Sequence, residues 1–193
     1  MEVSMEPSVN FKRFCELAKD LGALDARIIS ARDIVINDRT RLKCQYGCPF
    51  YNHYLTCPPF SPTIEQSKRL IDGYDWALLF TVRFSSSAPE SFFTGRTHSI
   101  KNMVILQKIA AELERQLYLA GYDSAFGMAC GPCLLCDECV LQPGKCKYPS
   151  IARPPSEALG IDVGKTVGKV GYKLKVATSP SDTVDIFGLV LIV

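Results

Sequence analysis

At 193 residues, 47% of them hydrophobic, the chain is long enough to bury a core without disulfide staples. Its formal charge of +2 argues against a strongly basic nucleic-acid or membrane-surface protein. The first ten residues carry Glu2 and Glu6 and no apolar stretch, so no secretory signal is expected. No window reaches the roughly 18 apolar residues of a membrane span either. A cytoplasmic, reducing setting is the expectation, and there the nine cysteines point to metal or redox chemistry rather than to a disulfide framework.

Taken in order, residues 1–9 read as a flexible end and 10–193 as one α/β domain. Residues 10–21 have the apolar spacing of an amphipathic helix, with Phe11, Phe14, Cys15, Ala18 and Leu21 on one face. Cys15 in that stripe reads as a core cysteine. A short strand is expected at 26–30, and a helix opens near Ser61-Pro62 and runs to about 72. Residues 76–84 (WALLFTVRF) read as a buried strand and 85–95 as a loop. The longest helix is expected over 97–118, with Ile100, Met103, Val104, Gln107, Ala110, Ala111, Leu113 and Leu117 facing the core. A strand at 124–128, one or two helices within 155–172, and strands at 173–178 and 184–193 complete the set. Strands alternating with helices predict a mixed sheet of four or five strands flanked by helices. The two cysteine groups would lie in loops at its ends, 44–60 and 130–149.

Eight of the cysteines form those two groups. In the second, Cys133-x2-Cys136-x2-Cys139 has the bacterial ferredoxin spacing for three ligands of one cubane cluster, with Cys146 or Cys130 as fourth. Gly131, Pro132, Pro143 and Gly144 suit the irregular backbone such a loop needs. A structural zinc site is the alternative, but zinc modules space their thiol pairs a dozen or more residues apart. In the first group, Cys44-x3-Cys48-x8-Cys57 supplies three thiolates. Cys130 or His53 could complete that site, or its fourth position stays open as in catalytic centres. Cys44 and Cys48 match only the first half of a radical-SAM run.

Tyr46, Phe50, Tyr51, Tyr54 and Phe60 surround the first group and would shield a cluster from water. Arg39, Arg41, Lys43, Lys145, Lys147 and Arg153 flank the two groups. They form either a solvated face, an offset to cluster charge, or a docking patch for an acidic partner or substrate. His98 reads as a helix-opening residue. The segment at 160–166 (GIDVGKT) is one residue short of a phosphate-binding loop and follows no strand, so nucleotide binding is not expected.

Arg41, Lys43, Cys44, Cys48, Tyr51 and Cys57-Pro58-Pro59, followed by Cys133, Cys136, Cys139, Cys146 and Pro149, form a distinctive set. With Ala152-Arg153-Pro154 and the stretch from Glu157 through Gly160 to Val163, it resembles a family of predicted cysteine-rich metal-binding proteins common in methanogens and other anaerobes. The resemblance spans residues 26–172. It implies a small metal-binding protein of iron–sulfur type and brings no established reaction. This chain departs from the pattern at Asn52, where glycine is usual, and at Pro155 in the Arg-Pro-Ser stretch. Cys130 lies outside the regular set.

The expected function is therefore an iron–sulfur protein with one or two 4Fe-4S clusters, passing electrons or supplying a cluster to a protein partner, in electron transfer or redox support of an anaerobic pathway. The alternatives are an enzyme with an open cluster at Cys44, Cys48 and Cys57, or a zinc-stabilised interaction module.

Overall fold

The computed structural model describes residues 11–85, 98–141, 144–175 and 182–193. The order is α1 (Lys12–Asp20), β1 (Asp25–Ser30), a 3-10 turn (Ala31–Asp33), α2 (Asp38–Gly47), α3 (Ile64–Ile71), β2 (Trp76–Ser85), α4 (His98–Leu119), β3 (Phe126–Met128), a second 3-10 turn (Ser156–Leu159), α5 (Val163–Lys169) and β4 (Thr183–Ile192).

The four strands form one sheet in the order β1-β2-β4-β3. The expected four-stranded α/β sheet with flanking helices is present. Its described strand pairings are all antiparallel, where a mixed sheet was expected. The reason lies in the two central strands. β2 and β4 are covered on both faces, so each reads as the unbroken apolar run usually met in parallel sheets.

Alternate residues of β2 serve opposite cores. Leu78, Phe80 and Val82 pack under α1 and α4 with Phe14, Leu106, Ile109, Leu113 and Leu117. Ala77 and Leu79 pack on the other face with Ile71, Leu159, Ile161 and Val167. Phe80 pairs in register with Gly188, and the ring takes the space a side chain there would need. A Cβ built at Gly188 would stand 2.3 Å from Phe80 Cζ.

Most elements fall within a residue or two of expectation. The exception is α2, expected as the approach to a loop, which carries Cys44 on a helix. Residues 173–175 form no strand, and the remainder of that expected strand lies outside the described residues, as does most of the loop at 85–95.

The loop holding the second cysteine group is closed at its neck. Ala129 N donates to Pro154 O at 2.9 Å and Ser156 N to Ala129 O at 3.0 Å. The buried amide of Gln107 on α4 donates to Arg153 O at 2.9 Å and accepts from Arg153 N at 2.7 Å. The Arg153 guanidinium forks onto Glu114 at 2.7 and 2.6 Å, and that carboxylate also accepts from Gly127 N. Some twenty residues of irregular chain thus hang from a clamp rooted in the longest helix.

Candidate metal centre

The eight grouped cysteines line two neighbouring clefts. Cys133, Cys136, Cys139 and Cys146 line the smaller one, about 360 Å³ of open space, with Leu55, Thr56, Lys147 and Tyr148 among its walls. Cys44, Cys48, Cys57 and Cys130 line the larger, about 740 Å³, with Lys43, Phe50, Tyr51, Pro58 and Glu157. Cys130 therefore stands with the first group, although it is nearer the second in sequence. Its place at the loop neck explains this. Ala129 is tied to Pro154 and Ser156, so Cys130 is fixed at the sheet edge while Cys133, Cys136, Cys139 and Cys146 line the other cleft.

The first cleft is built from three directions. α2 begins at Asn37, whose side chain accepts from Arg39 N, and brings Cys44 to the cleft. Arg41, one turn earlier, reaches Ser61 Oγ, Pro62 O and Ala158 O, pinning α2 to the chain that precedes α3 and to the 3-10 turn carrying Glu157. From Cys48 to Cys57 the chain folds as consecutive turns: Tyr51 N donates to Cys48 O and Cys57 N to Tyr54 O. Asn52 takes φ of 63°, left-handed backbone that asparagine tolerates, and its N–H donates to Pro58 O at 2.9 Å. The turn thus stands with asparagine in place of glycine.

The clefts share a wall. Leu55 and Thr56 face the smaller one, and the next residues, Cys57 and Pro58, face the larger. Leu55 N donates toward Cys139 Sγ at 3.5 Å, an amide-to-sulfur contact joining the two cysteine loops directly.

Burial governs the thiols. It pushes Cys57, 6% exposed, up to about 12. It also raises Cys44, Cys133 and Cys130. Neighbouring thiols add to the rise: Cys48 acts on Cys44, and Cys146, Cys136 and Cys139 act on Cys133. A cation bound here must displace protons, and it supplies the charge that makes four adjacent thiolates tolerable. Glu157 is raised as well, by its own burial. Among the described residues no three His, Cys, Asp or Glu side chains converge on a single-ion site; the donors stand around the cleft walls. Soft sulfur donors in fours suit zinc or iron–sulfur groups, so the donor chemistry of both clefts fits.

Other candidates fall elsewhere. His53 is exposed and lines neither cleft, so it is not brought to the site. The side chain of His98 lies outside the described residues. Cys15 packs against the core under α1. Of the aromatics, Phe50 and Tyr51 line the first cleft and Tyr54 meets Phe50 edge-on, whereas Tyr46 is 80% exposed and shields nothing. Lys43 and Lys147 each line a cleft. Arg39 and Lys145 are exposed, and Arg41 and Arg153 are engaged in holding the fold. Thr166, from the short glycine-lysine segment, is buried and accepts from Val35 N. Sequence reasoning gave Glu157 no role. One glutamate opening a short helix carries no signal until the fold sets it against Cys130.

No helix among the described residues is long and apolar enough to cross a membrane. No curated protein and no solved structure matches this chain. Residues 27–192 match the family model described as predicted metal-binding protein (DUF2284), and with that span covered the chain belongs to this family of predicted metal-binding proteins.

Proposed function

We propose that the chain is an iron–sulfur protein holding two 4Fe-4S clusters, and that it passes electrons to a protein partner in an anaerobic pathway. The observation that carries this reading is the sorting of eight cysteines into two fours around clefts that share the wall 55–58. One of the fours has the ferredoxin spacing.

Cys133, Cys136, Cys139 and Cys146 would hold one cluster. Cys44, Cys48 and Cys57 would hold the other, its fourth position offered by Cys130 or Glu157. Such a group supplies one-electron chemistry when bound. The protein's own part is to exclude water with Phe50, Tyr51, Leu55, Pro58 and Tyr148 and to offset thiolate charge with Lys43 and Lys147. The Leu55 N–H lowers the electron density on Cys139 sulfur. Two redox groups on either side of one strip of backbone would suit electron passage between them.

The test is iron, acid-labile sulfide and zinc content, with a visible spectrum, on protein purified without oxygen. About eight irons with matching sulfide is the expected result. Stoichiometric zinc with no sulfide overturns the reading and leaves a zinc-stabilised module.

A further inference from the structure

The first cleft contains one charged donor that four thiolates do not account for. Glu157 lines it, and its Oε2 is shielded from solvent without a hydrogen-bond partner. It is the one carboxyl among the described buried side-chain oxygens in that condition. Its Oε1 accepts from Cys130 Sγ at 3.7 Å. No described ion pair includes Glu157, and the nearby Arg41 is spent on Ser61, Pro62 and Ala158. Nor is the carboxylate free to leave. Ser156 N is tied to Ala129 O, Ile161 N to Ser156 O, and the Ala158 carbonyl is held by both Arg41 and Ser61. A buried carboxylate oxygen left unpaired is costly, and a cation in the cleft is the partner that removes the cost.

We propose that Glu157 is an oxygen ligand of the metal group in the first cleft. It fills the position beside Cys44, Cys48 and Cys57, while Cys130 orients it through the thiol hydrogen bond instead of ligating. This rests on the cluster reading above. The two clefts then differ in kind: one is all thiolate, and the other has a single iron held by a harder, more exchangeable donor.

The test loads the full chain with ferrous iron and sulfide under anaerobic conditions and compares wild type, Glu157→Gln and Cys130→Ala. In Glu157→Gln the iron content should fall from about eight to about seven per chain, with a three-iron paramagnetic signal on oxidation, while Cys130→Ala keeps about eight. The cluster on Cys133, Cys136, Cys139 and Cys146 reports in each sample that the chain is folded. A three-iron signal in Cys130→Ala with Glu157→Gln unchanged overturns the proposal, as does no change in either. Mössbauer spectra of the wild type need no variant: one iron in about eight should show the larger isomer shift of a harder ligand, and eight all-sulfur irons overturn the proposal. If no sample retains iron and sulfide, it is the cluster reading that has failed.

Discussion

Two side chains tie the neck of the second cysteine loop to the body of the protein: Arg153 forks onto Glu114, and the same carboxylate accepts from Gly127 N. Cysteine spacing is local, so the ferredoxin-like run at 133–139 was visible at once. The company Cys130 keeps was not, because it depends on the clamp at Ala129 and Pro155. Arg153 shows the same gap. Beside Lys145 and Lys147 in sequence it reads as a surface charge, yet it is 11% exposed and forked onto Glu114, itself 19% exposed. Replacing Glu114 by Ala would leave that guanidinium with backbone carbonyls only and no counter-charge, and Gly127 N without its acceptor. We expect a loss of about 3 kcal/mol in denaturant unfolding. Because the pair anchors the neck, faster hydrogen exchange should also appear across residues 130–152.

Elements were legible in proportion to their apolar periodicity. α1 and α3 carry clear stripes, and both fall where expected. α2 buries no residue, so its helix left no hydrophobic trace, and only the Asn37 cap marks its start. The central strands gave the opposite difficulty. Their apolar runs identified them correctly but said nothing of direction, and the described pairings are antiparallel where the alternation of strands and helices predicted a mixed sheet. Their packing is tight enough to test. Gly188→Ala would drive a methyl into the Phe80 ring across the β2–β4 ladder. The expected cost is about 2 kcal/mol, read as a lower denaturation midpoint with an unchanged slope. Phe80→Leu in the same background should recover part of it.

At the scale of the whole molecule, stability and site occupy different parts of one chain. The core closes around the sheet, while the clefts are lined mainly by loop residues with α2 contributing Thr40, Lys43 and Cys44. Outside the lining of both clefts, Tyr172 donates to Asp25 and lies against Arg27, whose guanidinium stands 3.9 Å from the ring centroid. Burial, then the bond to Asp25, raises the phenol to about 12. A raised folded-state value favours the protonated form, so its stabilising effect is complete below the unfolded phenol's range near 10 and is lost as pH rises through about 12. Tyr172→Phe should flatten the fall in melting temperature between these limits and also reduce the stability lost on acidification, because the Tyr172 hydroxyl is the largest influence lowering the Asp25 carboxyl. A wild-type and variant pair with the same alkaline slope would show that the loss arises elsewhere.

The strip from Leu55 to Pro58 has a consequence for how the pair of sites can exist at all. Thr56 and Cys57 are consecutive residues facing opposite compartments. Neither compartment can be excised, transplanted or lost in descent without removing a wall of its neighbour. The two sites are one inheritable unit, and a lineage that abandoned one set of thiols would have to rebuild the partition before it could keep the other.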